Sequence, residues 1–254
     1  MKKRDFYLPS SDGKSRLHCV EWLPEHAELQ TIRLWVQLVH GMNEHMGRYG
    51  EFASFLAEHG IAVIGHDCLG HGDTVPYGET GLSKKERGFF AEQHGGTFLL
   101  RDMHRVASYG AKRYPNAKHI MLGHSMGSFL TRRYLSAYPG SETDGVILLG
   151  TGFPAPPLVF TGEMLAALFG RIKGKHYRSR LLYELSIGNY NRKFQPVRTD
   201  YDWLTRDEWY VDRFLNNPRC DFIFTAGAYR DFFHEIRTAE EAELVGYVPK
   251  NIPY

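Results

Sequence analysis

Residues 119–130 read HIMLGHSMGSFL, and Gly123-His124-Ser125-Met126-Gly127 within them has the form G-x-S-x-G. A serine hydroxyl is a poor nucleophile at neutral pH and needs a base within hydrogen-bond reach, itself oriented by a third group. The pentapeptide alone says little. Between an apolar run and a helical one it describes a sharp strand-to-helix turn, where bulky side chains two positions before and after the serine would collide, so glycine stands at both. Ser125 is then exposed at the tip as a candidate nucleophile for acyl transfer, and the Met126 amide faces the developing oxyanion. A second donor is sought in VHGMNEHMGRY (39–49), directly after another apolar run. His40-Gly41 lets the chain turn close to the nucleophile, which leaves the Met42 amide beside that of Met126. Each such donor is worth about 3 kcal/mol of transition-state stabilisation. His40 itself reads as a packing residue that holds the loop.

The base is harder to find among thirteen histidines. When a Ser-acid-His triad follows in that chain order, only His176 and His234 lie downstream of Ser125. His176 falls in the basic stretch KGKHYRSR and reads as a surface residue. His234, between Phe233 and Glu235 in YRDFFHEIRT, sits in a helical pattern rather than on a loop, with no acid placed to orient it. Cys19, Cys68 and Cys220 are odd in number and widely spaced, which points to reduced thiols rather than a disulfide framework or a zinc site. Neither a metal nor a cofactor is expected.

The elements that must position these residues alternate in type. Apolar runs at 32–41, 60–67, 119–123 and 145–150 have the length and closure of buried strands. Between them, 47–60 puts Phe52, Phe55, Leu56 and His59 at helical spacing. Residues 97–115 do the same with Leu99, Met103, Val106 and Gly110, and a third helix over 127–139 stops at Pro139. This is the pattern of an α/β fold with a mostly parallel central sheet flanked by helices, which binds ligands at the carboxyl ends of its strands. After Gly150 the strand rhythm stops. Three segments follow: a core over 1–154, an inserted helical lid over 155–225, and a return to the core over 226–254.

With 31 basic and 29 acidic side chains the net charge is only +2, which gives no electrostatic case for a nucleic-acid partner. The opening MKKR is followed by no apolar signal region, and no apolar run reaches the roughly 18 residues of a membrane span. A cytoplasmic location is the expectation.

HGMNEHMGRY, HDCLGHGDT (66–74) and GHSMG, in this order and at these separations, resemble the α/β-hydrolase fold, and within it the monoacylglycerol lipase and lysophospholipase branch of the serine aminopeptidase-type hydrolases. DWLTRD and NPRCDFIFTAG extend the resemblance over nearly the whole chain. It implies a carboxylic ester hydrolase forming an acyl-enzyme on Ser125 with lipid-like esters such as a monoacylglycerol or lysophospholipid. It also implies oxyanion donors at Met42 and Met126, a cap over 155–225, and structural roles for Asp67 and His71. In such proteins a segment like VPKNIP leads into the strand that carries the triad acid, with the histidine further on. The resemblance thus places acid and base beyond Tyr254, as in a truncated chain lacking its C-terminal strands. That leaves the strand at 145–150 as an unpaired edge and calls for a complementing C-terminal segment or a second copy of the chain as partner. The alternative is a catalytically incomplete remnant that binds lipid or a partner.

Overall fold

The computed structural model of the chain describes residues 1–141 and 143–253. Its sheet contains β1 (Lys2–Pro9), β2 (Ser15–Leu23), β3 (Leu34–Val39), β4 (Ala62–His66), the two-residue β5 (Val75–Pro76), β6 (Lys118–His124) and β7 (Gly145–Leu149). The order is β1-β2-β4-β3-β6-β7, with β5 on β2. The four apolar runs of the sequence become β3, β4, β6 and β7, which pair in parallel; β3 and β4 are buried on both faces as such pairing favours, while β7 buries only Gly145 and Val146. The antiparallel β1–β2 hairpin adds to that expectation. Its turn is written in Ser10-Ser11-Asp12-Gly13: Gly13 takes φ +70° and Asp12 Oδ1 accepts the amides of Lys14 and Ser15, both at 2.8 Å. The charged and exposed face of β1 blunts that edge of the sheet.

Each parallel step crosses through a helix: α1 (Gly50–Glu58) after β3, α2 (Gly95–Arg113) before β6, and α3 (Met126–Ala137) after it. α2 buries Leu99, Met103, Val106 and Gly110, the face its spacing predicts. α1 departs from its predicted face. It buries Ala53 and Ala57, while Phe52 and Phe55 are 41% and 54% exposed. Two small residues four apart let the helix backbone approach the sheet closely, and the large rings at the neighbouring positions are pushed outward.

Residues 155–225 contain α4 (Pro156–Lys173), the one-turn α5 (Arg180–Tyr183) and α6 (Glu208–Leu215), the last two separated by a π-helical turn over Glu184–Gly188, a 3-10 turn over Tyr190–Lys193 and an irregular stretch. α7 (Ala226–Ala239) then lays Tyr229, Phe232, Phe233 and Ile236 into the main core against α3 and α4, and α8 (Ala242–Val245) follows. Gly162 of α4 lies so close to the Phe233 ring that a Cβ there would stand 3.0 Å from it. At the far end of the sheet, β7 exposes Ile147 and Leu149 by 44% and 46%. On its outer side the Val146 amide donates to the Pro253 carbonyl at 3.0 Å, and Ile252 is buried beside it. Tyr254 lies outside the described residues. Among those described, no helix is long and apolar enough to cross a membrane.

Candidate active site

Ser125 sits between β6 and α3 at φ +50°, ψ −117°. A residue with a Cβ adopts such a backbone only where its surroundings force it, at a cost of about 1–3 kcal/mol. The forcing contacts are visible on both sides. A Cβ on Gly123 would meet the Gly127 carbonyl at 2.5 Å and Thr131 Oγ1 at 2.6 Å, and one on Gly127 would run into the Val39 carbonyl. Only glycines at both positions let α3 leave the strand so steeply. The Ser125 amide donates to the Leu149 carbonyl at 2.8 Å, and its carbonyl accepts the Ser128 amide at 2.8 Å. The Met126 amide opens α3, where first-turn amides have no intrahelical partner.

The loop after β3 comes back against this turn. A Cβ on Gly41 would lie 3.2 Å from Ser125 Cβ and 3.1 Å from His124 Nδ1. The loop is held by Glu44, whose Oε2 accepts the Gly41 amide at 2.8 Å, the Tyr49 hydroxyl at 2.7 Å and lies 3.1 Å from His124 Nδ1; Arg48 pairs with its Oε1 at 3.3 Å. Burial alone would raise the Glu44 pKa. The hydrogen bonds and charge of His124, the Tyr49 hydroxyl and Arg48 outweigh it and hold the carboxyl down to about 2. Asn43 next door takes the left-handed φ of +58° and sends its side-chain amide to the carbonyls of Cys220 and Phe222, tying the loop to the end of the 155–225 segment. Between these anchors the Met42 amide makes no backbone hydrogen bond among the described residues.

His40 is fully buried: Nδ1 lies 2.8 Å from the Gly41 carbonyl and Nε2 accepts the Cys68 amide at 2.9 Å. Asp67 accepts the amides of Met46 and Asp73 and lies 2.8 Å from His18 Nδ1, so it organises two loops. His18, Asp67 and Asp73 are close enough to hold a metal ion, but these bonds and the Arg219–Asp73 pair at 2.9 Å already engage them. His71 is buried among Phe90, Phe222 and Phe224. The three cysteines are buried and free.

Ser125, Met42 and Met126 line one cavity of about 1030 Å³. Its apolar walls come from Phe129 of α3, Val159 of α4, and Phe232, Phe233 and Ile236 of α7, with Tyr190, Trp203 and Phe214 contributed by residues 155–225. The two downstream histidines are elsewhere. His176 stacks on Phe89 and pairs with Glu92, and His234, half exposed on α7, lies 3.0 Å from Glu163. Among the described residues no histidine hydrogen-bonds the Ser125 hydroxyl. Sequence reasoning missed Glu44, Tyr49 and Asn43. The available signal was their place in a polar loop leaving the carboxyl end of a buried strand.

Comparisons with known proteins agree with this architecture. The family model for serine aminopeptidase S33 matches residues 30–245. The chain is 28% identical over 212 residues to the monoglyceride lipase of Homo sapiens, covering 84% of the chain and 59% of that protein. It is 30% identical over 138 residues to a monoacylglycerol lipase of Mycolicibacterium smegmatis, over 52% of the chain and 45% of that protein. The chain thus spans 59% of the length of the mammalian relatives it matches. Among solved structures, a thermostable carboxyl esterase from Bacillus coagulans in complex with glycerol superposes with a TM-score of 0.84 at 24% identity, over 100% of this chain and 78% of that one. A soluble variant of the Saccharomyces cerevisiae monoglyceride lipase in complex with a substrate analog gives 0.67 at 18%, over 96% and 72%. With an α/β-hydrolase sheet, a G-x-S-x-G turn at its carboxyl end and a family match over most of its length, the chain belongs to the serine aminopeptidase S33 family of α/β-hydrolases.

Proposed function

We propose that the chain is a serine hydrolase of lipid-like carboxylic esters, such as a monoacylglycerol or lysophospholipid, with residues 155–225 as a lid on a core formed by 1–154 and 226–254. One observation carries the reading: the strained Ser125 opens, beside the Met42 loop, into a large cavity with aromatic and aliphatic walls. Ser125 Oγ attacks the ester carbonyl as its proton passes to a base. The oxyanion forms against the Met42 and Met126 amides, the alcohol leaves with the proton, and water then releases the acid from the acyl-enzyme. The names of the relatives from Homo sapiens and Mycolicibacterium smegmatis support a monoacylglycerol-type ester.

The base and its acid belong, in this reading, to residues outside those described, on a segment that adds beside β7. The support is the edge itself, with Ile147 and Leu149 open and residues 252–253 already running along it. Three free thiols favour a reducing compartment such as the cytoplasm. Hydrolases that lack a triad member keep about 10³-fold acceleration from the oxyanion hole and binding, so the test is comparative. The chain and its Ser125→Ala variant are assayed side by side on p-nitrophenyl esters of graded acyl length and with a fluorophosphonate label. Faster turnover and labelling in the parent chain are expected. Equal hydrolysis by both and no label on Ser125 would refute the reading.

A further inference from the structure

The cavity that holds Ser125 carries an unbalanced charge. Its lining includes three cations, Arg48, Arg192 and Lys193, and a single carboxylate, Glu44. Glu44 is engaged by Arg48, Tyr49, His124 and the Gly41 amide, so it has no capacity left for the other two cations. Arg192 and Lys193 end the short helical turn Tyr190–Lys193, and among the described residues neither side chain has a hydrogen-bond or ion-pair partner. Arg171 and Arg206 are also without a partner among the described residues but lie outside the cavity lining, and three further arginines of this region are matched. Arg180 meets Glu184 and Asp200, Arg198 meets Asp212, and Arg213 meets Glu51. Two adjacent uncompensated cations on the wall of a reaction cavity repel each other and attract an anion, and nothing else in the lining supplies one.

Burial divides the cavity in a way that fits an amphiphile. Arg192 and Lys193 are exposed, whereas Phe232 and Phe233 are 6% and 8% exposed. A charged group can rest against the cations without leaving water, while an alkyl chain reaches the rings and gains from its burial. The guanidinium fork of Arg192 suits a phosphate, which it meets with two parallel N–H bonds, and the Lys193 ammonium adds a point charge.

We infer, resting on the ester-hydrolase reading above, that the preferred substrate is an acyl ester with an anionic phosphate head group rather than a neutral one. Arg192 and Lys193 are the specificity-determining residues that hold the phosphate while the acyl carbonyl is presented to Ser125.

Equilibrium binding tests this independently of turnover. The full chain carrying Ser125→Ala is titrated, by intrinsic tryptophan fluorescence, with two non-hydrolysable ethers of the same alkyl length below their aggregation limits: 1-O-hexadecylglycerol and 1-O-hexadecylglycerol 3-phosphate. The phosphate is expected to bind about tenfold more tightly at low salt, with the preference shrinking as salt is added. In the Arg192→Gln/Lys193→Gln background the preference falls to near unity and the affinity for the neutral ether is unchanged. Lys2→Gln/Lys3→Gln removes the same charge from β1 and leaves the preference intact. Equal binding of both ethers, or a preference that survives loss of Arg192 and Lys193, overturns this inference while leaving the lipid cavity standing. Failure of both ethers to bind overturns the lipid-ester reading as well.

Discussion

Glu44 Oε2 lies 3.1 Å from His124 Nδ1, so the loop that carries the Met42 amide is pinned to the residue immediately before Ser125. The same oxygen accepts from Gly41 and Tyr49. One buried carboxylate therefore sets the distance between the two halves of the proposed oxyanion hole. Removing it strands a backbone amide, a hydroxyl and the Arg48 charge at once. Glu44→Ala should cost about 3 kcal/mol and slow fluorophosphonate labelling of Ser125. Glu44→Gln, which keeps an acceptor for Gly41, should lose less of both. Urea unfolding and labelling rates on the same preparations check this, and an Ala variant as stable as the parent would contradict it.

Ser125 stores strain that a hydroxymethyl group does not need. At φ +50° glycine is relaxed where alanine is not, so Ser125→Gly should be more stable than Ser125→Ala by about 1 kcal/mol. Paired thermal melts of the two variants give the difference directly. No difference would mean that the turn is unstrained.

Gly127 has no room to grow, because any Cβ runs into the Val39 carbonyl at the end of β3. The neighbour is backbone and cannot rotate away. Gly127→Ala should cost about 3 kcal/mol or more. Gly140→Ala, where nothing lies within 4 Å of the added carbon, should be close to neutral. The comparison of urea midpoints fails the argument if the two variants match.

Acid should loosen the fold well before carboxylates titrate. Burial among aromatic rings pushes the His71 pKa down from 6.5 to about 3, and burial pushes His45 down to about 4. Both rings are neutral in the native state. Below pH 6.5 the unfolded chain takes up protons that the folded one refuses, so stability present above that pH declines as pH falls toward the folded values. The slope reaches about 1.4 kcal/mol per pH unit for a fully buried ring. Glu44, held down to about 2 from 4.5, stays charged across most of this window; its contribution is complete above pH 4.5, declines as pH falls below that and is lost once pH has fallen through about 2. Urea unfolding at pH 7.5 and 5.0 should show the decline, and His71→Phe should flatten it. A pH-independent midpoint in the parent chain would count against a buried neutral His71.

Much of this was legible in the sequence, for reasons that differ by element. β3, β4 and β6 announce themselves because strands buried within a sheet are apolar almost throughout, β7 by an apolar run although half of it is exposed, and Gly123 and Gly127 announce the turn because sterics forbid anything larger. The β1–β2 hairpin was missed although Asp12-Gly13 marks its turn, since β1 is an exposed edge with no apolar run to notice. On α1 the large rings suggested the buried face, but closeness of approach favoured Ala53 and Ala57. Glu44, Tyr49 and Asn43 could not be read as a unit, because what ties their loop to the nucleophile turn and to the 155–225 segment, His124 and the Cys220 and Phe222 carbonyls, stands 75 to 179 positions away in the chain.

The bond from the Ser125 amide to the Leu149 carbonyl has a dynamic consequence. Leu149 ends β7, an edge strand of the sheet among the described residues. The nucleophile is therefore only as still as a border strand that water can peel. Exchange of the Ser125 amide proton should keep pace with fraying of β7, and anything that settles along that border quiets the serine from behind, without touching the cavity it faces.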